Sequence, residues 1–163
     1  MGTKSDIPPP IDDIDKVLIG TLNGLIHVCH EGYDGYMKAA DGITKSAYKT
    51  MFAEYALQRG RFATQLGNLV EDHGGEPDDG HAINLFRRGW TNIMTVLMGG
   101  DYGAIFAECE RSESMAIKAY KHIMEMQIPE DVSEIIEQQY QQIVEAHDRL
   151  HNLNEAYYLE HKN

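Results

Sequence analysis

The sequence has few basic residues and no long apolar run. It carries 14 Lys and Arg against 26 Asp and Glu, which gives a formal net charge of −12 at pH 7. Because nucleic acids and anionic membranes are bound by clustered Lys and Arg, this balance argues against both as partners. No stretch of about 18 apolar residues is present, so a transmembrane helix is not expected.

Signal-peptide features and paired cysteines are also missing. The first ten residues, MGTKSDIPPP, lack the apolar segment of a signal peptide, and the chain has only Cys29 and Cys109. Both cysteines fall on apolar helix faces, where a reduced thiol behaves as a small hydrophobic side chain. These features predict a cytoplasmic protein without a disulfide. The Pro-rich residues 1–11 are expected to form a disordered or extended arm.

Four long segments show the three- and four-residue spacing of apolar side chains that is typical of helices packed on a core. These segments are residues 12–41, 44–73, 102–126 and 130–160. A shorter helix is predicted at 81–98, between the second and the third of them. No segment shows strand alternation. The sequence therefore predicts an all-α protein with a single domain over residues 12–160.

The length of the shorter predicted helix bears on the topology. At 1.5 Å per residue, residues 81–98 span about 27 Å, enough to travel most of the way along a bundle. The second and third bundle helices can therefore run parallel, with the shorter helix as the crossover between them. Two antiparallel pairs joined by one long crossover describe the ferritin-like branch of four-helix bundles.

Charged residues interrupt the apolar faces near the middle of the predicted bundle. Glu113 is central on the third helix, with Glu110 on the edge of the same face, and Arg59 is central on the second. A buried carboxylate is costly unless it is paired, hydrogen-bonded or bound to a metal. The helix midpoints place these residues at nearly one height with His147. We therefore expect a buried polar layer, closed by two tyrosine hydroxyls, made of Arg59, Glu110, Glu113, His147, Tyr36 and Tyr120.

Two interpretations of this layer stay open. In the first, the planar Arg59 guanidinium holds Glu113, and Glu110 and His147 hydrogen-bond beside it, so that the layer fixes helix register. In the second, Glu110, Glu113 and His147 are the ligands of a single zinc or iron ion. A ferritin-type dinuclear centre is disfavoured, because the sequence contains no Glu-x-x-His motif and Arg59 would repel a metal pair.

Other patterns carry less information. The pairs His27 with Glu31 and His147 with His151 are spaced four residues apart and could each hold an adventitious zinc or nickel ion. For the first pair a solvated helix face is the simpler interpretation, since Glu31 falls opposite the apolar stripe. Several methionines indicate a pliable apolar surface that favours a homodimer or a higher homo-oligomer. They are Met94, Met98, Met115, Met124 and Met126.

Six short motifs together resemble a known family. In chain order they are LNGLI, QRGRFATQL, GGEP, RRGW, AECERSESMAIKAY and AHDRL. Taken together they resemble an uncharacterised bacterial family of ferritin-like four-helix-bundle domains, domain of unknown function 2383. The resemblance spans about residues 18–153, and ECER with the spaced AHDR is its more specific part. It implies a ferritin-like bundle of bacterial origin and no established activity.

Three functional hypotheses follow. The first is a non-enzymatic ferritin-like bundle without a cofactor, self-associating, with a stress-related or partner-binding role. The second is a metal-dependent oxidoreductase of rubrerythrin character that uses a single zinc or iron ion. The third is a bundle that binds an apolar ligand in a cavity. The missing Glu-x-x-His motifs favour the first hypothesis over the second.

Overall fold

The computed structural model describes residues 13–78 and 102–162. These residues form four helices, named here α1 (Asp13–Gly42), α2 (Ser46–Asp72), α3 (Tyr102–Met124) and α4 (Glu130–Glu160). The two described ranges contain no strand, so the predicted all-helical fold with four long helices is confirmed over these ranges. None of these four helices is long and apolar enough to cross a membrane. The predicted arm at 1–11 and the predicted crossover helix at 81–98 lie outside the described residues.

The four helices form two hairpins. α1 packs along α2, α3 packs along α4, and the hairpins meet through α1 against α3 and α2 against α4. Tyr36 contacts Glu113 and Cys29 contacts Tyr120, so α1 and α3 run in opposite directions. Since α1 is antiparallel to both α2 and α3, these two helices lie diagonally across the bundle and run parallel. This arrangement brings the middle of α2 level with the middle of α3.

α2 ends in a Schellman turn in which both glycines are needed. Gly74 has a φ of 86°, and its N–H donates to the carbonyl of Glu71 at 3.0 Å. The N–H of Gly75 donates to the carbonyl of Val70 at 2.9 Å, which completes the motif. A Cβ on Gly75 would lie 2.6 Å from the Ile19 side chain of α1. The turn therefore sets how closely the end of α2 approaches α1.

The core is divided along the bundle into two apolar clusters. On α2, Ala56 belongs to one cluster and Phe62 to the other, and Arg59 lies between them. On α3, Cys109 and Ala116 bracket Glu113 in the same way. The buried charges therefore lie at the boundary between two regions that are packed by apolar side chains.

The inward face of α4 differs from the predicted one near its middle. Its buried residues follow alternating steps of four and three: Val132, Ile136, Gln139, Ile143, Ala146 and Leu150. The apolar spacing predicted that His147 lies on this face. Ala146 occupies that position instead. The His147 side chain, 24% exposed, points about 100° away around the helix, toward the edge of the face. Because alanine contributes little to the hydrophobic pattern, the pattern indicated His147 and not Ala146 as the inward residue.

Candidate functional site

The centre of the bundle holds a buried ion pair between α2 and α3. Arg59 and Glu113 are each 2% exposed. Nη2 of Arg59 donates to both carboxylate oxygens of Glu113, and Nη1 donates to Oε1 of Gln58 at 3.0 Å. Tyr36 of α1 donates its hydroxyl proton to Oε1 of Glu113. Three helices therefore contribute to the site. Arg59 and Glu113, which the sequence suggested as partners, are in contact.

The charges within this site stabilise one another. Burial by itself lowers the pKa of Arg59, but the adjacent Glu113 carboxylate raises it, and the net pKa lies above its ordinary value. Burial, reinforced by the negative charge of Glu113, also raises the pKa of Tyr36 well above its usual range. The guanidinium therefore stays charged and the phenol stays protonated at neutral pH. A buried charge pair of this kind is tolerated because both partners are hydrogen-bonded.

A glycine of α1 makes room for the arginine. A Cβ at Gly32 would lie 3.1 Å from Cγ and 3.4 Å from Cδ of Arg59. The guanidinium carbon lies 5.5 Å from the ring centroid of Phe62 and 5.9 Å from that of Tyr36, both within the range of cation–π attraction. Backbone on one side and two rings on the others therefore confine the Arg59 side chain.

A second polar group lies two helical turns further along α3. Tyr120 donates its hydroxyl proton to Oε1 of Gln139 at 2.6 Å, and Gln139 donates in turn to Oε1 of Gln65 at 2.9 Å. Sγ of Cys29 lies 3.4 Å from the Tyr120 oxygen, and because the tyrosine proton is engaged, the thiol is the donor. Burial raises the pKa of Cys29 to about 11. The thiol is therefore protonated at neutral pH, and it is a weak nucleophile in this state.

A cavity of about 210 Å³ lies between α1 and α3 and borders both polar groups. Its walls are mostly apolar or small and include Val28, Gly32, Ala116, Ala119 and Ile143. The polar side chains on its boundary are those of Cys29, Arg59, Ser112, Glu113 and Tyr120. The centre of the bundle thus combines a hydrogen-bonded polar network with free space.

A separate cluster, here called the rim cluster, contains Glu110, His147 and His151 and lies where α3 meets α4. Nδ1 of His151 donates to Oε1 of Glu110 at 2.7 Å, and Nε2 of His147 lies 4.0 Å from the same oxygen. The hydrogen bond that His151 donates to Glu110, together with the negative charge of Glu110, raises the pKa of His151. The cluster is partly open to solvent, so its ionisable groups can exchange protons with water.

The residues of the predicted polar layer are thus divided among three places. Arg59, Glu113 and Tyr36 meet at the centre, as expected of a salt-bridge layer. Tyr120 lies two turns away with Cys29, because seven residues of helix advance the chain by about 10 Å. Glu110 and His147 lie at the rim: three residues before Glu113 is a rotation of about 60° toward α4. The three residues considered as ligands of one metal ion, Glu110, Glu113 and His147, therefore do not converge.

The pair His27 and Glu31 differs from the solvated face expected for it. Nε2 of His27 lies 2.6 Å from Oε1 of Glu31, and Glu31 is only 8% exposed although it lies opposite the apolar stripe of α1. Burial, with the charge of Asp34, raises the pKa of Glu31 to about 8. Burial lowers the pKa of His27. Both side chains are therefore uncharged near neutral pH.

Sequence reasoning missed two contributors to the centre. Gly32 carries no side chain, yet a glycine inside a long helix lowers its stability and signals a close approach by another element. Gln65 pairs with Gln139 across α2 and α4, and neither amide has a charge that would draw attention. Across residues 13–78 and 102–162, no group of three or more His, Cys, Asp or Glu side chains is placed so that it could hold a metal ion.

The fold and this site define a class of protein, a four-helix bundle whose middle is crossed by a buried arginine–glutamate pair. The chain belongs to the family described as Domain of unknown function (DUF2383), which matches residues 17–126. This match covers nearly all of α1 and the whole of α2 and α3. No curated protein matches the chain.

Proposed function

We propose that the chain is a non-catalytic, ferritin-like helical bundle in which the Arg59–Glu113 pair fixes the register of the two hairpins, leaving the outer surface to bind a partner. The observation that carries this proposal is the pairing of Glu113. Both of its carboxylate oxygens accept hydrogen bonds from the Arg59 guanidinium, a cation that would repel a metal ion at the same carboxylate. The Cys29 thiol, which borders the same cavity as the pair, is kept protonated by burial.

The position of the pair explains how it would fix register. Arg59 and Glu113 lie on diagonal helices that belong to different hairpins, so the pair joins the hairpins at one height. A slip of one helical turn would separate the groups by about 5.4 Å and leave two unpaired buried charges. Leaving one buried charge unpaired typically costs about 3–5 kcal/mol. A slipped packing of the same apolar faces is therefore strongly disfavoured.

The ferritin-like assignment is supported by the parallel course of α2 and α3. Asn23 of α1 contacts Asp78, just past the end of α2, whereas Thr44 at the other end of α1 contacts Tyr102 at the start of α3. Residues 78 and 102 therefore lie toward opposite ends of the bundle. Two antiparallel hairpins whose second and third helices run parallel are the arrangement of ferritin-like bundles. A bacterial origin and a stress-related role are proposed on the same resemblance, and a cytoplasmic location is proposed alongside them.

The proposed partner is a second copy of the chain. Large apolar side chains remain exposed on the outside of the described helices, and such residues favour association when they are grouped. They are Ile14, Val17, Leu57, Met115, Met124, Tyr158 and Leu159. Light scattering coupled to size exclusion should give the mass of a dimer or a larger assembly rather than the 18.4 kDa of one chain. A single-chain mass at every concentration would remove self-association from the proposal.

The structural role of the ion pair is tested by a double-mutant cycle of Arg59→Met and Glu113→Leu. Each single change leaves a buried charge without its partner and should lower the free energy of unfolding by about 3–5 kcal/mol. The double variant should recover most of that loss, because both charges are gone. Urea unfolding measures all three variants, and Arg61→Met, an exposed arginine on the same helix, is the matched control.

The competing function, a metal-dependent oxidoreductase, is addressed by metal content. Elemental analysis of the wild-type protein after iron or zinc loading should give far less than one metal ion per chain. A stoichiometric metal content that disappears in Glu113→Leu would overturn the structural role. So would an Arg59→Met variant as stable as the wild type, because the pair would then not hold the hairpins together.

A further inference from the structure

The cavity between α1 and α3 has no part in fixing register and is large enough to hold a molecule. Its volume is about 210 Å³. An engineered apolar cavity of about 150 Å³ in another protein stays dry and binds benzene. The space at the centre of this bundle therefore suits one small ring compound that carries a substituent.

The walls of the cavity determine what the body of such a molecule must be. Val28 of α1, Ala116 and Ala119 of α3 and Ile143 of α4 present hydrocarbon to the space. Met115, 42% exposed, also lines the cavity and marks the side on which it meets solvent. A methionine side chain is flexible and can adapt its shape to a guest. The walls thus match an apolar body that enters between α1 and α3.

Apart from the Ser112 hydroxyl, the polar boundary of the cavity has little hydrogen-bond acceptor capacity left. Both oxygens of Glu113 accept from Arg59, and Oε1 also accepts from Tyr36. The hydroxyl proton of Tyr120 is donated to Gln139, and its oxygen lies against the Cys29 thiol. A guest that offers only donors would therefore find few partners.

Besides the Ser112 hydroxyl, a charged donor remains on Arg59. This side chain donates through Nη1 and Nη2, and within residues 13–78 and 102–162 no acceptor takes the proton on Nε. A Cβ at Gly32 would lie 3.5 Å from Nε, and both Gly32 and Arg59 line the cavity. The absent side chain at position 32 therefore leaves Nε beside the free space. A guest with one acceptor atom can complete the hydrogen bonds of this buried guanidinium.

The charge balance of the site selects an uncharged guest. Arg59 and Glu113 already neutralise each other, so a charged molecule would enter a low-dielectric site without a counter-ion. An anion would also compete with Glu113 for Arg59. We propose that this cavity binds a small neutral ring compound carrying one carbonyl or ether oxygen, which accepts a hydrogen bond from Nε of Arg59. This inference goes beyond the structural role, which needs the ion pair and no guest.

The test compares three probes of equal size. Acetophenone has the ring and the carbonyl oxygen, cumene has the same bulk without an acceptor, and benzoate adds a negative charge. Acetophenone should raise the unfolding temperature and shift the backbone amide resonances of Gly32 and Ala116 in NMR spectra, with a dissociation constant on the order of 0.1 to 1 mM. Cumene should bind about tenfold more weakly, and benzoate should cause no shift.

A variant that fills the cavity separates this site from binding elsewhere. Ala119→Leu places three more carbons in the space and should weaken acetophenone binding at least about tenfold. Ala107→Leu makes the same change at an exposed position of α3 and should bind as the wild type does. If Ala119→Leu fails to fold, Ser112→Leu narrows the same cavity from another lining position.

Three outcomes would overturn the inference. They are the absence of any acetophenone response up to its solubility, an equal response in the folded cavity-filling variants, and tighter binding of benzoate than of acetophenone. None of these outcomes bears on the register role, which the double-mutant cycle measures without any ligand. If the double-mutant cycle gave no coupling energy between Arg59 and Glu113, the register role would fail, but the cavity and its walls would remain. The two proposals can therefore fail separately.

Discussion

Arg59 of α2 passes beside Gly32 of α1 so closely that a Cβ at position 32 would lie 3.1 Å from the Arg59 Cγ. The methylene chain that would have to move leads directly to the guanidinium that holds Glu113. A helix-interior glycine, which usually weakens a helix, here leaves space for the buried ion pair. The contact ties the sequence of α1 to the pairing between α2 and α3.

Gly32→Ala should therefore destabilise the protein even though alanine favours a helix. Replacing a helix-interior glycine by alanine normally adds up to about 1 kcal/mol to the free energy of unfolding. At position 32 the new Cβ would crowd the confined Arg59 side chain, and we expect a net loss of about 1 kcal/mol. Urea unfolding at neutral pH measures it.

Gly20→Ala is the matched control, since a Cβ there meets nothing within 4 Å and lies on the same helix. This variant should be more stable than the wild type by up to about 1 kcal/mol. If both alanines stabilised the protein equally, Arg59 would not be confined by α1.

The sequence alone was sufficient to predict the four described helices and the buried contact between Arg59 and Glu113. Apolar spacing located all four described helices, because burial of one helix face requires apolar residues at a regular spacing along the sequence. Arg59 and Glu113 stood out because each is a charge at the centre of an apolar stripe. Their pairing followed from the rule that such charges must be neutralised.

The same reasoning could not separate the centre from the rim. Glu110 and Glu113 are only about 60° apart around α3, and the small rotation of a helix in its bundle decides which of the two faces the core. Likewise, Ala146 is too small to reveal that it, and not His147, packs inward. The sequence pattern gives a period, whereas the rotation of each helix depends on how the side chains of four helices fill one interior.

The pair of His27 and Glu31 predicts a stability that falls as the pH rises. Glu31 has its pKa raised from 4.5 to about 8 by burial, so the folded state binds its proton more tightly than the unfolded state does. The stabilisation that the protonated Glu31 contributes to folding is therefore fully present below about pH 4.5 and is lost progressively up to about pH 8. His27, with its pKa lowered, acts in the opposite sense only as the pH falls below about 6.5.

Glu31→Gln should remove this dependence, because the amide stays neutral at every pH of the comparison. At pH 8 the variant should be more stable than the wild type by on the order of 2 kcal/mol, and the gap should narrow toward pH 5. Thermal unfolding between pH 5 and 8.5 provides the comparison. Glu54→Gln, at an exposed position of α2, should leave the slope unchanged. A wild-type slope in Glu31→Gln would show that Glu31 is ionised in the folded state.

Both thiols should resist reaction in the native protein. Burial raises the pKa of Cys29 to about 11, and burial with the charge of Glu113 raises that of Cys109 well above its usual range. The thiolate, which is the reactive form, is therefore scarce at neutral pH and shielded from solvent. Reaction with an aromatic disulfide reagent should occur only as the protein unfolds in urea. The variants Cys29→Ala and Cys109→Ala assign each signal, and a fast phase in native buffer would contradict the burial of that thiol.

The rim cluster predicts a histidine with an unusually high affinity for protons. Glu110 raises the pKa of His151 through a hydrogen bond and through its charge, so the ring should titrate above about 6.5 in an NMR pH series. Because the folded-state pKa is raised, any contribution to stability is present in acid and fades as the pH rises through it. Glu110→Gln should move the midpoint of His151 back down, since the amide carries no charge. Glu108→Gln, which instead removes the partner of Arg111 on the same helix, should leave that midpoint in place. Equal His151 midpoints in the wild type, Glu110→Gln and Glu108→Gln would mean that the contact between His151 and Glu110 is not formed in solution.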